Sequence, residues 1–186
     1  MIKSIFSNSF GILFSRIFGF IRDLLTANIL GANIYSDIFF VAFKFPNLFR
    51  RIFAEGAFSQ SFLPTFIQSK YKSVFSVKIF LIFLGLITFL TLLVQVFTQE
   101  ATQILAIGFS DALIDQASVF VAINFYYLIF IFIVTFLSAL LQYKDHFATS
   151  AFSTALLNIS LIVALILSKD LSQKTIVYYL SYGVLI

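Results

Sequence analysis

Long apolar stretches separated by short polar joints run the length of the chain. A helix that crosses a bilayer needs ~20 consecutive apolar residues. Stretches of that kind predict spans over residues 6–30, 36–62, 77–97, 118–141 and 148–167, with a sixth beginning at 175 and still running at Ile186. Gly31 is the expected stop of the first span, because glycine accepts the left-handed conformation that closes a helix, and Gly31-Ala32-Asn33 makes the turn. Pro46 falls inside the second span, where it removes one backbone hydrogen bond and predicts a kink or local opening. Pro64 falls just past that span, and residues 65–76 read as a polar loop. The segment 99–116 is less hydrophobic. Its acidic Glu100, Asp111 and Asp115 and its apolar Ile104, Leu105, Ile107 and Phe109 suit an outer piece lying at the membrane interface. Lys144-Asp145-His146 reads as a tight turn. The last apolar segment, 175–186, is too short to cross, so the chain is expected to be a fragment of a longer protein or to carry an incomplete final helix.

Composition agrees with these spans. Of 186 residues, 61% are hydrophobic and 11% charged, against roughly 25% charged in a soluble domain. The charges are too few to coat a water-soluble surface, which makes the fold class all-α, a polytopic membrane helix bundle of about six spans. With no cysteine and one histidine, His146, disulfide, thiolate and histidine-rich metal chemistry is excluded. No Ser–His–carboxylate arrangement surrounds His146, so no enzyme activity is expected. The net charge of +4 comes without a basic tail and does not read as nucleic-acid binding. The 27 phenylalanines read as compositional bias rather than ligand stacking. The N-terminal apolar run is not a cleaved signal, because Arg16, Arg22 and Asp23 interrupt it. With the N-terminus inside, the inner loops hold Lys3, Lys70, Lys72, Lys78 and Lys144 and the outer loops only Lys169 and Lys174, which favours a cytoplasmic N-terminus.

Charges inside the first two spans carry the functional signal. Between Phe14 and Phe62 stand Arg16, Arg22, Asp23, Asp37, Lys44, Arg50, Arg51 and Glu55, five basic and three acidic. A charge at the bilayer centre costs at least ~2.5–3.5 kcal/mol, so such residues are functional candidates. On a helical wheel Asn8, Gly11, Ser15, Arg16, Gly19, Arg22, Asp23 and Thr26 share an arc of roughly 140°, which can line water or approach another backbone closely. Asp37, Lys44 and Arg51, spaced by seven, stack on one face of the second span, and Glu55 joins it four residues on. Arg50 points about 100° away in a regular helix, and because Pro46 intervenes the wheel does not decide between Arg50 and Arg51. The bland alternatives are an Arg16–Asp23 pair that is purely structural and an arginine that snorkels to the headgroups. The excess positive charge predicts a cavity for an anion, since guanidinium groups bind phosphate with paired, directional bonds. Asp23, Lys44, Arg51, Glu55 and Ser15 are the residues expected to pair or gate, with the carboxylates exchanging partners as an anion enters or leaves.

At these residues the chain resembles a known family. The runs SRIFGFIRD at 15–23, DIFFVAFKFPNLFRRIFAEGAFSQSFLP at 37–64 and LLNIS at 156–160 resemble the MurJ (MviN) lipid II flippases of the multidrug/oligosaccharidyl-lipid/polysaccharide exporter superfamily. The resemblance implies a multi-pass protein of the bacterial inner membrane that moves a lipid-linked peptidoglycan precursor outward by alternating access, in service of cell-wall synthesis and cell shape. It implies a two-lobed bundle of about fourteen spans around a central cationic cavity, of which this chain resembles the first lobe. Carried over by motif, Arg16, Arg22 and Arg50 match the family's cavity arginines, Asp37 its important acidic position and Glu55 its gate glutamate. The implied partners are lipid II, membrane lipids and the second lobe. No cofactor is expected, and the drive would be the membrane potential or an ion gradient. The alternatives are a cation-coupled small-molecule or drug exporter of the same superfamily, and a half-transporter or scaffold that works only with a partner lobe.

Overall fold

The computed structural model describes residues 2–53, 57–144 and 148–186, and over these it is helical, with no strand. The helices are α1 (Ile2–Ile29), α2 (Ile34–Ile52), α3 (Phe58–Gln68), α4 (Lys72–Val96), α5 (Thr98–Leu105), α6 (Asp111–Phe125), α7 (Tyr127–Tyr143), α8 (Ala148–Ser168) and α9 (Gln173–Leu185).

The turn between α1 and α2 is built by local chemistry. Gly31 takes φ 70° and its N–H reaches back 3.2 Å to the Thr26 carbonyl, closing α1 where the sequence placed the stop. Asn33 caps α2: its Oδ1 accepts from the N–H groups of Tyr35 at 2.8 Å and Ser36 at 3.2 Å, while Ser36 Oγ accepts from the Asn33 N–H at 3.0 Å. This reciprocal capping box starts α2 at Ile34, two residues before the expected point. α2 then continues through Pro46, which is buried and leaves the Ala42 carbonyl without its usual helical donor.

Within the second apolar stretch, expected as one span over 36–62, the described residues form α2 and α3, and residues 54–56 lie outside the described residues. α2 ends at Ile52, and α3 carries on to Gln68 with Pro64 inside it, so the expected loop at 65–76 shrinks to residues 69–71. α3 wins those extra residues by burial: Phe58, Phe62 and Phe66 stack on one face and bury it. The 99–116 segment divides into α5 and the first turns of α6, joined through Gly108 at φ 103°. α6 and α7 meet at Tyr126 to give a nearly continuous apolar rod, Asp111–Tyr143. This rod and α4 are long and apolar enough to cross a membrane.

Phenylalanine fills the centre. Phe132 of α7 is fully buried; Phe53 and Phe58 meet it edge-on at 6.2 and 6.0 Å, and Phe80 and Phe83 of α4 stack on it at 5.8 and 5.9 Å. Offset and edge-on rings of this kind each add about 0.5–1.5 kcal/mol beyond their buried area. The compositional excess therefore has a structural use: interdigitated rings lock α3, α4 and α7 together.

Helix ends pair as alternating spans require. Asn33 Nδ2 reaches Gln173 Oε1 at 3.3 Å, which places the α1–α2 and α8–α9 turns at one end. Phe66 meets Tyr143 edge-on at 5.1 Å, joining the α3–α4 turn to the end of α7. Leu13, Phe20, Leu24, Leu81, Leu86 and Phe89 stand exposed on α1 and α4. That belt suits lipid and would be an aggregation surface in water.

α1 lies along α8, whereas α2 packs across α6 and also touches α5, α7 and α9. α1 and α2 share their turn but do not pack along one another, so they diverge from it.

Candidate functional site

Divergence of α1 and α2 opens a cleft of about 890 Å³, walled on one side by Asp23 and Thr26 and on the other by Asn33, Ser36, Asp37 and Phe40. The two charged wall residues are acidic. Arg16, Arg22, Lys44, Arg50 and Arg51 do not line this cleft, although Arg22 reaches its edge through Asp23.

Arg22 is held on three of its nitrogens' faces. Nε and Nη2 both donate to Asp23 Oδ1, at 3.0 and 2.7 Å, and Nη1 donates to Oδ1 of Asn158 on α8 at 2.8 Å. Asn158 in turn donates from Nδ2 to the Ser15 carbonyl at 3.1 Å. A Cβ on Gly19 would stand 3.4 Å from Asn158 Nδ2, an ordinary contact distance, so the amide lies close against α1 at this turn. The pairing of Asp23 is thus with its neighbour Arg22, rather than with Arg16 two turns back on the same edge.

This geometry splits the polar arc of α1 into two halves. Gly11, Ser15 and Thr26 are buried, with Gly19 and Arg22 half-buried, on the side taken by α8. Small residues let the two backbones approach closely, and the polar groups among them bond across the interface. Arg16 and Asp23 form the other edge and stay exposed. The arc therefore does both things its chemistry permits, helix packing along one edge and an open charged edge along the other.

On α2 the seven-residue stripe is plain. Asp37, Lys44 and Arg51 are exposed together, with Phe40 and Leu48 between them. Arg50 turns off that stripe and is half-buried; its Nε donates to Asn47 Oδ1 at 3.1 Å, and its charge acts on the Tyr127 hydroxyl at the start of α7. Glu55 lies outside the described residues, as do Asp145 and His146. No cluster of three His, Cys, Asp or Glu side chains suited to a metal ion occurs among the described residues.

Asn158 is the residue that sequence reasoning passed over. It was visible only as part of LLNIS inside an apolar span. An amide in the middle of such a span is itself a signal, because it must find a hydrogen-bond partner on another helix.

A helical bundle with a lipid-suited apolar belt, and charges gathered on its first two diverging helices, has the character of a polytopic helical membrane protein. Comparison with known proteins gives the particular family. A family profile described as "Lipid II flippase MurJ" matches residues 26–186. A Helicobacter pylori strain J99 protein described as "Probable lipid II flippase MurJ" is 56% identical over 160 residues, covering 86% of this chain and 35% of the relative. A protein of the same description from the Schizaphis graminum subspecies of Buchnera aphidicola is 40% identical over 187 residues, covering 95% and 36%. Among solved structures, "Lipid II flippase MurJ, inward closed conformation" superposes with a TM-score of 0.84 at 26% identity, over 95% of this chain and 39% of that one. The chain belongs to the MurJ lipid II flippase family, and it spans about a third of the length of the curated relatives it matches.

Proposed function

We propose that this chain forms the first lobe of a flippase that carries a lipid-linked peptidoglycan precursor, lipid II, across the bacterial inner membrane by alternating access, working with a second lobe that supplies the remaining length of its relatives. The N-terminus lies in the cytoplasm in this reading, as the lysine distribution of the loops favours. The work is transport, with no bond made or broken.

One observation carries the reading beyond family membership: the half-buried guanidinium of Arg22 lies at the edge of the cleft, with Nε and Nη2 both engaged by a single oxygen of the exposed Asp23 carboxylate. The Nε–Nη2 edge presents two parallel N–H groups, the fork that suits a pyrophosphate oxygen pair. Arg16 on the exposed edge of α1, and Arg50 on α2, would add charge along the path. Asp37, Lys44, Arg51 and Glu55 would tune that charge and exchange partners as the lobes move.

The test is translocation of lipid II in vesicles by the full-length protein carrying Arg22→Ala or Arg50→Ala. Either replacement is expected to abolish flipping with expression intact. Wild-type flipping by the double variant refutes the proposal.

A further inference from the structure

We propose that Asn158 is a positioning residue that holds the Arg22 guanidinium ready for its anion, so that the recognition element of this lobe is a two-helix device rather than a lone arginine. This rests on the reading of Arg22 as an anion ligand.

Asn158 is buried to 5% exposure and uses both ends of its amide. Its orientation is fixed by chemistry: Arg22 can only donate and the Ser15 carbonyl can only accept, so Oδ1 must face the guanidinium and Nδ2 the carbonyl. Side chains on a helix lean toward its N-terminus, which brings the Arg22 guanidinium back over the turn at Gly19, beside which the Asn158 amide lies. α8 is also the principal support of α1. One buried side chain therefore fixes the α1 backbone at Ser15 and the Arg22 head two turns later.

The division of donors gives the arrangement its use. Asn158 occupies Nη1 alone and leaves the Nε–Nη2 edge to Asp23. An incoming phosphate oxygen pair can replace Asp23 at that edge while Asn158 keeps its grip. The long, rotamer-rich arginine is then already ordered when the anion arrives, which removes an ordering penalty from binding. An aspartate at 158 would retain an acceptor for Nη1 but lose the donor to Ser15, and its charge would cancel the guanidinium.

The experiment uses purified full-length protein, inorganic pyrophosphate as the binding probe, lipid II translocation in vesicles, and the variants Arg22→Ala, Asn158→Ala, Asn158→Asp and Arg22→Ala/Asn158→Ala. Asn158→Ala is expected to weaken pyrophosphate binding by roughly 2- to 10-fold, the effect of freeing one long side chain. It is expected to add nothing further to Arg22→Ala. Asn158→Asp, whose carboxylate keeps its bond to Arg22, is expected to remain folded and to lose binding and flipping together. If Arg22→Ala binds and flips as wild type, the functional reading itself falls. If Arg22→Ala is dead while Asn158→Ala and Asn158→Asp bind normally, the positioning role alone is overturned. An additive double variant overturns it too, because Asn158 would then act through something other than Arg22. Should Asn158→Ala melt early, the folded Asn158→Asp decides by its binding.

Discussion

Replacing Asp23 by asparagine isolates the competition between protein and anion for the same guanidinium edge. In the wild type, Asp23 Oδ1 accepts from Nε at 3.0 Å and from Nη2 at 2.7 Å, with the two side chains 26% and 67% exposed on the arginine and aspartate sides. An ion pair this open to its surroundings contributes about 0.2–1 kcal/mol. Any anion that takes the edge must first displace it. Asp23→Asn keeps the shape and an acceptor but removes the charge, so the affinity for inorganic pyrophosphate is expected to rise by between about 1.4-fold and about 5-fold, at 1.4 kcal/mol per factor of ten. Titration calorimetry on the full-length protein would read it. Asp37→Asn is the control. Asp37 lines the opposite wall of the cleft and has no ion pair among the described residues. Its effect is therefore through space alone, smaller than that of Asp23→Asn and further reduced as salt is raised to 0.15 M, where the screening length is about 8 Å. Unchanged or weaker pyrophosphate binding in Asp23→Asn, with the melting temperature preserved, refutes the argument. Asp23 would then be orienting Arg22 instead of competing for it.

Two further outcomes bear on the fold. Phe132→Ala empties the centre of the ring cluster and should lower stability by about 3 kcal/mol, at the lower end of the range for a buried aromatic, because in lipid the loss is of packing more than of transfer from water. Phe89→Ala, on the exposed side of α4, should be nearly silent in the same detergent melting assay, and equal losses in the two variants would contradict the packing account. Asn33→Ala removes the α2 cap and should cost about 1 kcal/mol. Faster hydrogen exchange confined to the first-turn amides of Tyr35 and Ser36 is the expected sign, and unchanged protection there would count against the capping box.

Fold class and most helix positions could be read from the chain because each rests on a signal that survives at the level of single residues. Apolar runs of spanning length and sparse charge gave the bundle, and Gly31 gave the end of α1. Where the reading failed, the deciding term was tertiary. Pro64 looked like a boundary, yet the stacked faces of Phe58, Phe62 and Phe66 hold α3 together past it. The start of α2 was missed for a local reason: Asn33 was read as the end of the turn and Ser36 as the first residue of the span, not as the two halves of a capping box. The wheel placed Asp37, Lys44 and Arg51 on one stripe, and they share an exposed face. It also gathered Ser15, Gly19, Arg22 and Asp23 into one arc, but no wheel of α1 can show which part of the arc another helix will cover. That information lies 136 residues away, in Asn158.

The same separation sets an order of events during synthesis. α1 reaches the membrane long before α8 has been made; at ~5–20 residues per second the 136 intervening residues take roughly 7–27 s. Through that interval the Arg22 guanidinium has no access to the amide that finally holds it, and lipid offers it nothing. The carboxylate on the very next residue is there from the start. Asp23 thus serves as an assembly companion for a charge whose permanent partner arrives late. The α1–α8 contact becomes the late-closing seam of the lobe, the joint most exposed to misassembly when translation or insertion stalls.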